Sequence, residues 1–317
     1  MIRDIKKFIN DRNMYGYIVT KNDNFFTEYS NINNLAKVTQ FTGSAGFALI
    51  LKDKNYLFVD GRYTQQAKKQ SGRDFKIFEI PYFWPKNVLN IKDKKIGFNP
   101  KLFTEKILNI YFEKKTNLIP TEFIFKNKVK RKINKIFYLD KCISGESVSS
   151  KINKVKNYMK KNKINYLYSS ASENVNWLLN IRGKDLPNSP LVNCKIIIPV
   201  EGKIYLFVNA KKIKNTIKKD LKNIIICKED NLLKIISISK RGFFCIDKNT
   251  CSLFDESIIK SKFIINHKTD PIYDLKAIKN KYEIKNTIKA HIEDGVALTK
   301  FLYWYKNNKN EITEKKN

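Results

Sequence analysis

Histidine is nearly absent from this chain of 317 residues, which has only His267 and His291. Neither has a second metal-ligating side chain at helical or hairpin spacing, so no local metal motif is present. Arginine is almost as scarce, with seven against 55 lysines. Arginine makes the forked contacts that read phosphates and bases, whereas lysines scattered through every segment mark a solvated surface. The net charge of +32 therefore does not by itself signal nucleic-acid binding. One basic stretch, 126–135, stands out, and it has no interleaved aromatics to stack on bases. The five cysteines, at 142, 194, 227, 245 and 251, form no C-x-x-C pair and are odd in number. That usage fits reduced, mostly buried thiols, with Cys245 and Cys251 in the core. Long apolar runs are missing too. The first residues, Met1 to Lys7, are broken by charge, and no later run would span a bilayer. The chain reads as soluble and cytoplasmic, with no membrane partner.

Glycine and proline are also few, 11 and eight, so where glycines cluster they carry information. Phe41-Thr42-Gly43-Ser44-Ala45-Gly46 puts two of them around a Ser-Ala pair, immediately before an apolar strand, Phe47 to Leu51. Glycine lets the backbone turn where a Cβ would clash. The second strand of the hairpin, Tyr56 to Val59, ends on Asp60-Gly61-Arg62-Tyr63. A phosphate loop is ruled out because Phe47 follows the second glycine, where Lys-Ser or Lys-Thr would be needed. A dinucleotide fingerprint is ruled out as well. Arg62 lies where a strand end opens onto a helix start, Thr64 to Ser71 with Gly72 after it, which is where α/β domains place functional side chains. Its guanidinium suits a carboxylate or carbonyl of a peptide, or a salt bridge to Asp60.

The chain contains a weak internal repeat. Tyr56-Leu57-Phe58-Val59 recurs as Tyr205-Leu206-Phe207-Val208, and Tyr17-Ile18 as Tyr166-Leu167, both at an offset of 149. Each copy starts with an amphipathic helix, Ile2 to Asn13 and Ile152 to Asn162. Further strands are expected at Lys76 to Glu79, Lys95 to Phe98, Ile224 to Cys227, Phe243 to Ile246 and Phe263 to Ile265. This is the grammar of a duplicated α/β domain with mixed sheets and flanking helices. Asp270-Pro271 punctuates the second copy. From Asn280 a long helix follows, with Asn280 and Glu283 as a capping box and Ile284, Ile288, Ile292 and Val296 as an apolar stripe that needs covering. His291 is expected to pack on this helix, and His267 to be structural or exposed.

The chain resembles the aminopeptidase P family of Xaa-Pro aminopeptidases. The likeness rests on FTGSAG at 41–46, DGRY at 60–63, Ser144-Gly145-Glu146-Ser147, Asn176-Trp177-Leu178-Leu179-Asn180-Ile181-Arg182-Gly183 with Asp185 and Pro190, Leu275 to Asn280, and Ala290 to Gly295. It runs in order along nearly the whole chain. It implies two tandem creatinase-type domains, 1–146 and 147–270, followed at 271–317 by the first helix of an incomplete pita-bread metallopeptidase domain. The implied reaction is removal of the N-terminal residue from peptides with proline second. The family uses two divalent metals, manganese commonly, held by two Asp, one His and two Glu that lie beyond the late helix. No metal ligand and no catalytic residue is therefore assigned here, no cofactor is bound by this chain, and the chain is expected to be inactive alone.

Arg62 is the one substrate-binding residue the resemblance transfers. Trp177, Arg182, Gly183 and Asp185 match a motif read as structural and interdomain, and His291 matches a position that is not a metal ligand. The chain departs from the family at Asn33-Asn34, where an arginine often stands. The partners implied are a Xaa-Pro peptide and, in a homodimer, a second copy of the chain. The alternative is a non-catalytic peptide- or protein-binding module, which requires the late helix to pack back on the second domain or on a partner.

Overall fold

The computed structural model describes residues 1–27, 30, 32–125, 133–213, 221 and 223–308. Most of the basic stretch, 126–132, lies outside the described residues, as do 309–317 of the polar tail.

Short apolar runs form two six-stranded mixed sheets. The first contains β1 Gly16–Thr20, β2 Gly46–Leu51, β3 Asn55–Asp60, β4 Lys76–Ile80, β5 Lys95–Phe98 and β6 Asn117–Pro120, in the order β4-β3-β2-β1-β5-β6. After a short β7, Phe137–Tyr138, the second contains β8 Tyr166–Ser169, β10 Lys195–Pro199, β11 Ile204–Phe207, β12 Ile224–Cys227, β13 Phe243–Ile246 and β14 Ile264–His267. Its order is β12-β11-β10-β8-β13-β14. The small β9, Ile181–Arg182, pairs with β7. Every pairing in one sheet has its counterpart in the other. The first hairpin strand, β2 or β10, is antiparallel both to the first strand and to its hairpin partner, and the remaining pairings are parallel.

The duplication extends to how the opening helices end. Helix Ile2–Asp11 stops at Asn13, which has φ 47°, and Met14 N donates to Ile9 O at 2.9 Å. Helix Val148–Lys161 stops at Lys163, which has φ 54°, and Ile164 N donates to Met159 O at 2.9 Å. These endings are left-handed closures that satisfy the last carbonyls. They stand 150 residues apart, and so do the first strands, because Tyr17 and Leu167 both face the opening helix of their copy. That is one residue off the expected match of Tyr17 with Tyr166, and only β3 and β11 keep the offset of 149. The second helix starts four residues before the expected Ile152, because Ser147 caps it by accepting from Ser150 N at 3.2 Å.

Both faces of each sheet are covered, which is why the strands read as nearly continuous apolar runs. In the first sheet Ala48, Ile50, Leu57 and Val59 face the helix Ile2–Asp11, while Phe47, Leu49, Leu51 and Phe58 face a second cluster with Phe98, Phe103 and Leu108. On that side Phe47 stacks on Phe58 at 4.8 Å and on Tyr111 at 3.9 Å. The two domains join where helix Leu253–Lys260 begins. Leu253 N and Phe254 N donate to Phe103 O and Pro100 O, at 2.9 and 3.1 Å. Donors left unpaired by the helix start are thus satisfied by the first domain. Helix Pro271–Ala277 also belongs to this body. Its cap, Asp270, is buried and accepts from Ser169 Oγ and Asn174 Nδ2.

Candidate functional site

The two motifs singled out in the first domain meet at one end of its sheet. Helix Asn34–Thr39 is capped by Asn33, whose side chain accepts from Ala36 N at 2.8 Å. It ends on Gln40 with φ 64°, which swings the chain into the glycine turn. Phe41 is fully buried, and its ring lies beneath Gly43, where a Cβ would come within 2.1 Å of it. A Cβ on Gly46 would meet Phe58 O at 2.7 Å. Both glycines are therefore required by close approach, as the sequence indicated.

Asp60 closes β3 and caps the 3-10 turn Gly61–Tyr63, its Oδ1 accepting from Arg62 N at 3.0 Å and from Arg62 Nε at 2.8 Å. Those bonds hold the Asp60 carboxyl below its ordinary pKa. Tyr63 turns back onto the glycine loop. Its hydroxyl lies 2.6 Å from Ser44 Oγ, and its ring meets Phe41 edge-on at 5.9 Å. From helix Thr64–Ser71, Gln66 and Gln70 donate to Thr42 Oγ1 at 2.8 and 3.0 Å. The Arg62 side chain, 72% exposed, is thereby fixed at the rim of a braced turn, with the Asp60 salt bridge formed and the Tyr63 ring 5.4 Å away.

The motif at 176–185 forms the second constellation. Trp177 Nε1 donates to Glu283 Oε1 at 3.0 Å, and Glu283 Oε2 accepts from Asn280 N at 2.9 Å. The capping box of the last helix, Lys281–Asn307, is therefore also its attachment to the second domain. Asn280 Nδ2 donates to Ser144 O at 2.9 Å and Asn286 Nδ2 to Ile143 O at 3.1 Å. Arg182 braces the backbone by donating to Asn176 O and Ile181 O. Gly183 leaves room for Val192, and Asp185 accepts from Asn193 N and Lys212 Nζ. These are structural and joining roles, and Trp177 makes the link to the last helix.

Sequence reading missed Lys151 in this cluster. Its side chain is 1% exposed, donates to Trp177 O at 2.9 Å and Asn180 Oδ1 at 2.8 Å, and sits 3.9 Å over the Trp177 ring. Burial pushes its pKa down to about 8. The signal was available, since Val148, Lys151, Val155 and Met159 share the buried face of one helix. A lysine among those apolar positions needs a partner.

The histidines lie apart from both constellations. His267 Nε2 is 2.9 Å from Glu256 Oε1. His291, expected to pack, is exposed on the last helix with Nδ1 2.9 Å from Thr287 O, because nothing among the described residues covers that part of the helix. The apolar stripe is open for the same reason, with Ile284 49%, Ile288 57% and Ile292 63% exposed. Only the first turns of the helix dock, so it does not fold back along the second domain.

Among the described residues no group of three or more His, Cys, Asp or Glu side chains could hold a metal ion, so they do not fit a two-metal centre. The cysteines are all free, and burial raises the pKa of Cys194, Cys227, Cys245 and Cys251, which keeps them as unreactive thiols. No helix among the described residues is long and apolar enough to cross a membrane.

Comparison with known proteins agrees with this architecture. A family model described as Creatinase/Prolidase N-terminal domain matches residues 1–126, and a second of the same description matches 127–283. Xaa-Pro aminopeptidase 1 of Dictyostelium discoideum is 28% identical, over 99% of this chain and 54% of the relative. Probable Xaa-Pro aminopeptidase P of Laccaria bicolor is 27% identical, over 98% of this chain and 52% of the relative. X-prolyl aminopeptidase from Caenorhabditis elegans, described as a cytosolic enzyme with a di-nuclear active site, overlays with a TM-score of 0.80 at 22% identity. The overlay covers 93% of this chain and 52% of that one, and at such identity it shows the fold. The chain spans about half the length of the curated relatives it matches.

Proposed function

Because the chain belongs to the aminopeptidase P family, with two creatinase/prolidase N-terminal domains in tandem, we propose that it does the work of the peptide-holding half of an Xaa-Pro aminopeptidase. The observation that carries this reading is the meeting of the glycine turn and DGRY at one end of the first sheet, with Arg62 held there and exposed. A guanidinium can donate in a fork to a peptide carbonyl or carboxylate, and its mount costs little further ordering because Asp60 already fixes its Nε. The substrate is a peptide with proline second, and Arg62 is its contact from the first domain. In the same reading residues 1–146 and 147–270 are the two creatinase-type domains and 271–317 opens the pita-bread domain. The hydrolytic half holds two divalent metals, manganese in our reading, and the enzyme works in the cytoplasm as a homodimer.

The test has two arms on the 317-residue polypeptide. Titration with an Ala-Pro-containing peptide, followed by amide shifts, should show binding at the Phe41–Tyr63 site that Arg62→Ala weakens about tenfold, the worth of one charge-assisted hydrogen bond. Incubation with the peptide and manganese should release no N-terminal residue. Unchanged affinity in Arg62→Ala removes the assigned contact, and metal-dependent turnover by this polypeptide removes the division of labour.

A further inference from the structure

The buried cation at Lys151 serves no contact with the proposed peptide site, and it lies at the joint between the second domain and the last helix. Three observations define the joint. The ammonium sits 3.9 Å over the face of the Trp177 ring and is held there by Trp177 O and Asn180 Oδ1. Asn180 is itself held in the left-handed region, φ 51°, and donates through Nδ2 to Glu146 O. The edge of the same indole donates through Nε1 to Glu283, the residue that closes the capping box of the last helix. A cation on one face of an indole draws electron density from the ring and makes its N–H a stronger donor. Positive charge, ring and carboxylate thus stand in series.

We propose that Lys151 is a positioning residue that fixes the direction in which the last helix leaves the second domain, acting through the Trp177 ring on Glu283, and that loss of its charge loosens that joint. The inference does not depend on which peptide the first domain binds. The charged groups acting on the ammonium are Glu283 of the last helix, Glu146 of the turn before its own helix, Arg182 of β9 and Lys154 one turn along. The two acids favour the charged form, while burial and the two cations oppose it. The balance leaves the lysine titrating near pH 8, well below an exposed lysine. In the neutral form the amine still reaches Trp177 O and Asn180 Oδ1, but its pull on the ring and on Glu283 is lost.

Two measurements on the full chain test this. In the first, the indole N–H resonance of Trp177 is followed from about pH 6 to about pH 10, a range that brackets the lysine's titration. It should move upfield with a midpoint near 8, as its hydrogen bond weakens. Lys151→Arg, which stays charged, should abolish that step, and Lys151→Met should hold the resonance at its high-pH position throughout. The second uses spin labels at Lys160→Cys and Lys300→Cys in a Cys142→Ser background, to report the helix direction as a distance distribution. That distribution should be narrow at neutral pH, lose its narrowness above the midpoint, be broad at every pH in Lys151→Met and remain narrow at every pH in Lys151→Arg. A narrow distribution in folded Lys151→Met, or the same pH-dependent broadening in Lys151→Arg, would overturn the proposal. If Lys151→Met does not fold, the wild type and Lys151→Arg alone decide it, since a merely structural lysine would give both the same pH profile.

Discussion

Replacing Gly145 by alanine should cost about 3 kcal/mol, from two separable terms. The first is conformational. Gly145 has φ +73°, and a Cβ in that region is disfavoured by about 1 kcal/mol. The second is steric, because the new Cβ would lie 2.2 Å from Asn280 Oδ1 and 2.8 Å from its Nδ2. Asn280 must then swing away, giving up its bonds from Tyr282 N and Glu283 N and its own donation to Ser144 O. A lost N-cap and a lost hydrogen bond come to about 2 kcal/mol. Gly202 provides the control, since it has φ +93° and an added Cβ would meet nothing within 4 Å. Gly202→Ala should therefore cost the conformational term alone, about 1 kcal/mol. Urea unfolding followed by circular dichroism measures both, and a double-mutant cycle completes the test. In an Asn280→Ala background, Gly145→Ala should cost only about 1 kcal/mol, a coupling of about 2 kcal/mol between the two sites. Additive costs, or equal costs for Gly145→Ala and Gly202→Ala, would refute the contact between the 144–146 turn and the last helix.

Three further outcomes are expected. Lys151 has its pKa lowered on folding from 10.5 to about 8, so between those values the unfolded chain binds more protons and stability rises with pH. The gain of wild type over Lys151→Arg across that window should approach about 3 kcal/mol in urea titrations at fixed pH, and a flat difference would show that the lysine is not charged and buried. Arg62→Ala should raise the pKa of the Asp60 carboxyl toward its ordinary value, read by carboxyl carbon shifts, because the lowering comes first from the Arg62 side-chain bond; no movement would mean the pair is absent in solution. Phe47→Ala should destabilise by roughly 3 to 5 kcal/mol in the same urea assay, since it removes a fully buried ring stacked on Phe58 and Tyr111, and a loss under about 1 kcal/mol would contradict that packing.

Strand existence was legible for most apolar runs between turn residues, and β5, β12 and β13 have the bounds expected from the sequence, whereas β6, with only Leu118 and Ile119 as its apolar residues, was not anticipated. The repeat was legible because an aromatic hairpin, Tyr-Leu-Phe-Val, survives in both copies. Helix ends were less readable. The second opening helix begins at Val148, because a serine cap outweighs the weak helix propensity of the Ser-Val-Ser-Ser run that follows Glu146. His291 shows a different failure. Its neighbours on the last helix predict a covered face, and that pattern carries no information about what covers it.

The sequence by itself determined the α/β class, the duplication, the placement of Arg62 at a strand end and the capping box of the last helix. Each of these depends on local stereochemistry or on the period of the apolar pattern, which a linear chain records. Only the tertiary structure decided that Tyr63 and Gln66 brace the glycine turn, that Trp177 binds Glu283 across 106 residues, and that Lys151 is buried against an indole. Those contacts arise when the two sheets and their helices pack, and residues so far apart in sequence carry no mark of one another. A lysine in a chain with 55 of them looks like surface until the fold closes over it.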